Sequence, residues 1–349
     1  MKRRTFIAST AGAAVAAPAF AADEPPLMPD LEIVDAHHHL VDNPARENRP
    51  ASRYGAADLR KDIEDSGQRV TATVVVETMT QYRADGPAEL RAVGETEFFS
   101  RMADAAAGGP VKIAAGIVAA VDLRLGDKVQ PVLDAHMNAA KGRLRGVRVN
   151  IAWDAFPVMG IPLDPVRGVL LDDANSTAAM RMLAKMGLTL DTWAFHHQIQ
   201  NVAAAAQRVP NLTVILDHVG SPIGGVGPYA GKEKDVFKDW EAVIRAAAKV
   251  PNLVVKLGGL GMQFISPQLF KRTPAPTSED LAKAWRPYFE VCIAAFGANR
   301  CMFESNFPPD AATAPYGTMW NAFKRVAAKA SESERTALFS GTAKRVYRL

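Results

Sequence analysis

Eight short β-rich runs alternate with longer helical stretches, and this alternation constrains the fold more than any other feature of the chain. Ala-rich segments with helical periodicity, such as 196–209, 235–250 and 279–297, lie between the runs. The runs are LEIVDAHHH, VTATVVVET, VKIAAGIVA, LRGVRVNI, LTLDTWAF, LTVILDHVG, LVVKLGG and RCMFESNFP. Eight strands alternating with helices over roughly 310 residues predict an α/β fold, a single-domain (β/α)8 TIM barrel.

A doubly wound open sheet is the alternative fold. It is less favoured because no Gly-rich phosphate loop follows the first run. The connection 40–68 is long and polar, and the connection 220–234 is rich in glycine. Long loops after barrel strands build substrate pockets, so we expect these two connections to select the substrate.

The first 21 residues predict a cleavable export signal that takes no part in the fold. A basic head precedes an apolar stretch of small residues, and Ala19-Phe20-Ala21 matches an A-x-A cleavage site. Arg3 and Arg4 are typical of a twin-arginine signal, with an ordinary secretory peptide as the alternative. We therefore predict a signal over 1–21, a barrel domain over 22–349, recognition by the twin-arginine machinery, a periplasmic location and no stable membrane insertion after cleavage.

Charge and cysteine content narrow the partners of the mature protein. The formal net charge of +4 falls to +1 when the three basic residues of the signal are removed. No basic stripe with interleaved aromatic residues is present, so we expect no nucleic-acid partner. Cys292 and Cys301 are the only cysteines and predict buried thiols rather than a disulfide framework. The sequence leaves open whether copies of the chain associate.

Nearly every predicted strand ends in a polar side chain, at the end of a barrel where active sites lie. Strand alternation places Asp35, His37 and His39 on one face, and Ala36 and His38 on the other. The other inward candidates at strand ends are Glu77, Arg148, Asp191, Trp193, His218, Lys256, Glu304 and Asn306. A purely structural barrel end does not need so many functional groups, so the pattern favours a pocket for a small-molecule substrate.

Four of these residues are predicted to bind substrate. Arg148 shares its face with Gly146 and suits two-bond capture of a carboxylate. Lys256 suits anion binding or proton transfer, with snorkelling to solvent as the alternative. Trp193 is either a substrate platform or a packing residue. Glu77 completes the set.

Four motifs together resemble a known family. VDAHHHL resembles the strand-one HxH signature of the amidohydrolase superfamily, in its amidohydrolase-related lactonase branch. LDHVG resembles the strand-six histidine of that branch, VVKLGGL its strand-seven element and CMFESNFPPD its strand-eight element. The branch includes 2-pyrone-4,6-dicarboxylate lactonase and L-fuconolactonase. The resemblance covers nearly all the mature chain and implies a TIM-barrel hydrolase that opens lactones or related cyclic esters.

The chain departs from the family at strand eight. Metal-dependent relatives carry an aspartate there that binds metal and accepts a proton from water. Asn306 occupies this position, and a neutral amide cannot act as general base. Glu304, where relatives usually have glycine, either supplies the missing carboxylate or is a buried structural partner of Lys256. Asp310, in the following loop, is a weaker candidate.

The resemblance implies a divalent metal, Zn or Mn, on His37, His39 and His218, although the branch also contains members without metal. No organic cofactor is expected. The predicted reaction is attack by water on a carbonyl polarised by His37 and His39, with His218, Glu304 and Asn306 as catalytic residues and a small acidic or sugar-derived substrate. The alternatives are a metal-dependent decarboxylase of a small aromatic or enoic acid and a non-catalytic periplasmic ligand-binding protein.

Overall fold

Eight parallel strands form one sheet whose order follows the chain. The structure, a computed structural model, describes residues 24–43, 53–160 and 162–349; the predicted signal lies outside them. The strands are β1 (Ile33–His38), β2 (Val70–Val76), β3 (Lys112–Ala120), β4 (Leu144–Asn150), β5 (Thr189–Trp193), β6 (Val214–Leu216), β7 (Leu253–Leu257) and β8 (Cys301–Phe303). A bridge between His38 and Phe307 brings the last segment back to β1. The (β/α)8 prediction is confirmed.

Helices surround the sheet in the order that a barrel requires. They are α1 (Ala56–Ser66), α2 (Val93–Ala105), α3 (Gln130–Ala140), α4 (Ala174–Lys185), α5 (Ile199–Arg208), α6 (Glu233–Ala247), α7 (Ser278–Phe296), α8 (Tyr316–Val326), α9 (Glu332–Thr336) and α10 (Thr342–Tyr347), with one further helical turn at Val166–Val169. The three Ala-rich segments form α5, α6 and α7. Among the helices of the described ranges, none is both long and apolar enough to cross a bilayer.

The first connection contains more regular structure than its polar composition indicates. Helix α1 occupies its second half, and Val41–Asp42 pairs antiparallel with Arg53–Tyr54. The helix ends at Gly67, which has a φ of 61°, a left-handed conformation that glycine adopts without strain.

The inside of the barrel has its own apolar cluster, separate from the core between strands and helices. Strand residues such as Val34, Val254 and Met302 pack there with Val346 and Tyr347 of α10. The last helix of the chain therefore closes the end of the barrel where the strands begin. The opposite end is left for polar residues. Cys292 and Cys301 are buried and free, as predicted.

Candidate active site

A cavity of about 920 Å³ opens at the carboxyl ends of the strands. The predicted site residues that line it are His39, Glu77, Arg148, Trp193, His218 and Asn306. The floor of the cavity is the end of it that contains His39 and His218. Directly beneath this floor lie three fully buried residues that contact one another, His37, Lys256 and Glu304. The structure thus gathers the sequence candidates in one place, while their roles stay predictions.

A β-bulge in β1 corrects the predicted alternation. The pairing of β1 with β2 shifts register between Asp35 and His38, which places one extra residue on β1. Asp35 accepts hydrogen bonds from the Ser305 amide and the Tyr316 hydroxyl, outside the barrel interior, whereas Ala36 packs inside it. The prediction that Asp35 shares a face with His37 and His39 is therefore wrong.

His37 and His39 face each other across the floor of the cavity. Their Nε2 atoms are 3.2 Å apart, and His39 Nδ1 lies 2.8 Å from the Val76 carbonyl oxygen. That contact keeps the proton of His39 on Nδ1, so its Nε2 lone pair points towards His37. Burial, together with Lys256 for His37 and Arg148 for His39, holds both pKa values well below the usual range. His38 points away and bonds Thr73.

Glu304 joins two of the histidines. Its Oε1 lies 2.7 Å from His218 Nδ1, and its Oε2 lies 3.0 Å from His37 Nδ1. Although burial opposes the shift, His218 and His37 lower the pKa of Glu304 to about 2. A carboxylate that binds the far nitrogen of a histidine fixes the tautomer and raises the basicity of the near nitrogen. Among the described residues Glu304 pairs with these histidines and makes no ion pair with Lys256; that it supplies the missing carboxylate stays a prediction.

His218 reaches this position through an unusual backbone. Its φ is 54° and that of Val219 is 49°, both in the left-handed region that few non-glycine residues adopt. Gly259 makes room for it, since a Cβ there would lie 2.4 Å from the His218 ring. Gly258 does the same for the Glu304 side chain. The two glycines of VVKLGGL are therefore needed for the approach of β7 to the histidine and the glutamate.

Lys256 belongs to a second buried network. Its Nζ lies 2.6 Å from Asp191 Oδ2, 3.2 Å from Asp217 Oδ1 and 3.1 Å from His37 Nδ1. The Tyr347 hydroxyl donates to Asp191 Oδ2 at 2.7 Å. Burial raises the pKa of Asp191 to about 6, against the pull of Lys256. The alternative for Lys256, snorkelling to solvent, does not occur, because the side chain is fully buried; its predicted role in anion binding or proton transfer stays a prediction.

Sequence reasoning missed Asp217 and Tyr347. Strand alternation allows only one of the neighbours Asp217 and His218 to face the site, but the left-handed turn at His218 directs both there. The acidic residue within LDHVG was the available signal for Asp217. No local signal exists for Tyr347, which lies 156 residues from its partner Asp191.

The floor beneath the cavity carries an excess of buried carboxylates. Asp191, Asp217 and Glu304 share one buried lysine, Lys256, while the nearby Arg148 is paired with Glu77. Asp217 Oδ1 lies 3.2 Å from Lys256 Nζ and Glu304 Oε2 lies 3.0 Å from His37 Nδ1, contacts that are ion pairs without hydrogen-bond geometry. Buried anions without full compensation are costly, so this floor favours an added positive charge.

The donor set fits a divalent metal ion. His37, His218 and Glu304 place potential ligand atoms within 4.8 Å of one another. Within the predicted set of His37, His39 and His218, the pair His37 and His39 is compatible with one shared zinc ion, because two histidine nitrogens bound to one zinc ion lie about 3.4 Å apart. The Nε2 atoms of His37 and His39 are 3.2 Å apart. Both sets share His37 and His218.

Arg148 is already paired within the protein. Its Nε donates to Glu77 Oε1 at 2.7 Å and its Nη2 to the Glu77 carbonyl oxygen at 2.6 Å. Its Nη1 lies 3.8 Å from Asp217 Oδ2. The guanidinium that the sequence assigns to a substrate carboxylate is thus neutralised by Glu77, and the two residues form one pair at the wall of the cavity.

Asn306 and Asp310 act together beside this floor. Asn306 has a φ of 50°, and its Nδ2 donates to Asp310 Oδ1 at 2.9 Å. The Gly261 amide donates to Asp310 Oδ2, and burial raises the pKa of Asp310 to about 7. Asp310 therefore orients the amide of Asn306.

Trp193 lines the cavity, and its Nε1 donates to Ser221 Oγ.

Comparison with known proteins agrees with this architecture. The family model described as amidohydrolase matches residues 34–349. An uncharacterised protein of Sinorhizobium fredii is 30% identical over 338 residues, which are 92% of this chain and all of that protein. L-fucono-1,5-lactonase of Burkholderia multivorans is 29% identical over 184 residues, 51% of this chain and 57% of the lactonase.

A solved structure shows the same fold. The crystal structure of a zinc-bound amidohydrolase from Burkholderia multivorans superimposes with a TM-score of 0.69. It is 24% identical to this chain, and the match covers 91% of this chain and 99% of that one.

Proposed function

The chain belongs to the amidohydrolase family of enzymes, and from this we propose that it hydrolyses a lactone or related cyclic ester to a hydroxy acid. The observation that carries the proposal is the contact of His218 Nδ1 with Glu304 Oε1 at the floor of the cavity. With its Nδ1 proton donated to Glu304, His218 presents an unprotonated Nε2 to the cavity. Such a nitrogen accepts a proton from an attacking water molecule.

The proposed steps balance around this nitrogen. His218 Nε2 takes one proton from water, and the resulting hydroxide oxygen bonds to the lactone carbonyl carbon. The ring C–O bond then breaks, and the same proton passes from His218 to the leaving alkoxide oxygen. Burial disfavours charge on His218, but Glu304 and Asp217 raise its pKa. The histidine is thereby a stronger base than an isolated imidazole in the same cavity.

In this proposal His37 and His39 polarise the carbonyl. Glu304 and Lys256 orient His37, and the Val76 carbonyl orients His39. A divalent metal would be held by His37 and His218 with either His39 or Glu304; it would then replace His218 as the group that activates water, because it would supply Lewis-acid polarisation and lower the pKa of water. Asn306, held by Asp310, supplies an amide to orient the substrate rather than a base.

The charges of the cavity favour an uncharged lactone over an acidic one. Arg148 is paired with Glu77, so it offers no unpaired positive charge to a substrate carboxylate. The buried carboxylates beneath it repel an anion further. Of the two substrate classes expected from the sequence, acidic and sugar-derived, the acidic class is therefore disfavoured.

The first test combines metal analysis with a lactone panel. The purified protein, prepared without chelator, is analysed for zinc and manganese and assayed on neutral sugar lactones and on a pyrone dicarboxylate before and after chelation. We expect turnover of neutral lactones with hydroxy-acid products. Activity that is lost on chelation and regained with metal would assign the histidines to a metal site.

Two other outcomes would replace the proposal. Release of carbon dioxide from aromatic or enoic acids, without lactone opening, would make the protein a decarboxylase. Saturable binding without any turnover would make it a ligand-binding protein, and Asn306→Asp would then be the variant expected to gain activity. His37→Asn, which removes an imidazole from the floor, is the matched inactive control.

We also propose export through the twin-arginine route, on the basis of Arg3, Arg4 and the Ala19-Phe20-Ala21 motif. Expression of the full chain in a bacterium, followed by fractionation and N-terminal sequencing, tests it. A periplasmic product that begins at Ala22 supports export, and Arg3→Lys combined with Arg4→Lys should retain the precursor in the cytoplasm. A periplasmic product from this double variant would point to the ordinary secretory route.

A further inference from the structure

The outer half of the cavity differs in chemistry from its floor. Above the histidines, the walls carry the side chains of Met79, Tyr82, Met159, Val166, Leu170 and Met262. We call this apolar part of the cavity the outer chamber. It is continuous with the floor that contains His39 and His218. A substrate bound at the histidines therefore extends directly into an apolar environment.

Exposed apolar side chains concentrate at this place. Within the described residues, five of the eight large hydrophobic side chains that are exposed lie on the loops after β2 and β4, which border the outer chamber. Met79, Tyr82 and Val166 line the cavity, and Phe156 and Val169 lie on the same loops. Single exposed apolar residues are ordinary, but a group around one cavity indicates a binding surface.

The loop after β2 is built to present its apolar residues. Glu95 is buried, and its Oε1 accepts hydrogen bonds from the Thr78 and Thr80 amides at 2.8 and 2.9 Å. Met79, between them, has a φ of 60°, which a methionine adopts only where the surroundings require it. The side chain of Met79 is nevertheless 52% exposed. A carboxylate thus holds a strained backbone that points an apolar side chain at the cavity.

The loop after β4 is fixed in a similar way. Asp154 accepts from the Phe156 amide and from the Tyr229 hydroxyl, and Asp164 accepts from the Val166 amide. The Phe156 ring packs on Gly227, where a Cβ would lie 2.3 Å from it. These contacts fix the loop that brings Val166 to the cavity.

Charge and size define what the outer chamber accepts. Asp122 and Arg124 at its rim neutralise each other through paired hydrogen bonds. The remaining charged lining residues there are Glu89, Asp164 and Arg167, so no positive excess awaits an anionic group. A cavity of about 920 Å³ is near the upper end of the ~300–1,000 Å³ typical of sites for drug-sized ligands. A single lactone ring leaves most of it empty.

We infer that the outer chamber binds an uncharged alkyl or aryl substituent carried by the lactone. The inference rests on the proposed lactonase function for the identity of the ring, and on the apolar walls for the identity of the substituent. The preferred substrates are then hydrophobic lactones, with the ring at His39 and His218 and the substituent between Met79 and Val166.

A series of 4-alkyl-γ-lactones, from methyl to hexyl, tests the inference directly. We expect kcat/KM to rise about fourfold for each methylene that the outer chamber buries, until the chamber is filled. A 4-phenyl-γ-lactone should also be preferred over the methyl compound. Met79→Ser and Val166→Ser should reduce the dependence on chain length. Met137→Ser, which alters an exposed methionine of α3 outside the cavity, is the matched control and should keep it.

A second, unreactive series separates this inference from the proposed reaction. Binding of 2-alkyltetrahydrofurans, which lack a carbonyl, is measured by calorimetry. Affinity that increases with chain length, in a protein that opens no lactone, would support the outer chamber and overturn the lactonase proposal. Chain-length independence in both series would overturn the inference. Sedimentation of the protein gives a further test. If the protein is a dimer, and Val166→Asp dissociates it but leaves the chain-length dependence unchanged, the apolar patch is a subunit interface and the inference is overturned.

Discussion

The two ends of the barrel bury opposite kinds of side chain, apolar at one end and ionic at the other. At the end where the strands begin, Val34, Val254 and Met302 pack against Val346 of α10 in an apolar plug. At the other end, Glu304 and Lys256 are fully buried among histidines and aspartates. Apolar burial stabilises the fold, whereas buried ionic groups contribute little to stability and cost much when a partner is removed. The barrel thus separates the residues that hold it together from those that we propose to do chemistry.

One contact joins the two ends. Tyr347, in the apolar plug, donates to Asp191, which binds Lys256 beneath His37. The separation of the two ends is therefore incomplete. Substitutions at each end, measured for both activity and stability, show how strongly the two ends are coupled.

Glu304→Gln should have the largest effect on activity. The amide keeps the size of the side chain but loses the charge that orients His218 and His37, so kcat/KM should fall about 100-fold. The free energy of unfolding should also decrease, by about 3–5 kcal/mol, because the buried His218 and His37 lose the carboxylate with which they pair. Steady-state kinetics and urea unfolding measure both quantities.

Glu32→Gln is the matched control for this substitution. Glu32 pairs with Lys344 at the partly exposed opposite end of the barrel. Its loss should leave kcat/KM within about twofold, since partly exposed ion pairs are worth ~0–1 kcal/mol. Equal losses of activity in both variants would contradict the separation of the two ends.

Met302→Ala should lower stability and leave activity nearly unchanged. The side chain is 1% exposed in the plug, and its removal should lower the free energy of unfolding by about 2–5 kcal/mol. Activity per folded molecule should change little. Met302→Leu, which keeps the volume, should cost less than about 1.5 kcal/mol. A large fall in kcat without a loss of stability would place Met302 in the active end instead.

His136 should make the free energy of unfolding depend on pH, although it lies in neither the apolar plug nor the active site. It is buried on α3, bonds Thr96, and burial lowers its pKa from 6.5 to about 4. The unfolded chain therefore binds a proton at a higher pH than the folded chain, and stability falls as the pH is lowered from 6.5 to 4. At pH 4.5 the loss should be roughly 2–3 kcal/mol relative to pH 7.

His136→Asn, whose amide can retain the bond to Thr96, should remove this share of the loss. Urea unfolding at pH 7 and pH 4.5 gives the comparison. An unchanged pH dependence in the variant would assign the acid sensitivity to other groups, such as the buried carboxylates of the active end.

Tyr347→Phe should have the smallest effect, and it should reach both ends. Loss of the hydroxyl bond to Asp191 should lower the free energy of unfolding by about 1–2 kcal/mol and kcat by a few-fold. Tyr54→Phe is the control, because it removes a similar bond to Asp62 at a distance from the floor. A fall in stability with kcat unchanged would show that the plug does not influence His37.

The alternation of β-rich and helical segments was sufficient to predict the barrel, because each strand and helix is specified by its own residues and the order of segments leaves few topologies. The same logic placed Arg148, Lys256 and Glu304 on inward faces, since regular strands alternate. These residues lie at the expected end of the barrel.

The tertiary structure decided what local periodicity does not encode. The bulge that turns Asp35 away from His37, and the left-handed backbone at His218 and Asn306, interrupt the alternation on which the prediction depended. The pairing of Arg148 with Glu77 and the contact of Tyr347 with Asp191 join residues distant in the chain. Such contacts are selected by packing and by the need to compensate buried charge, which exist only once the strands have come together.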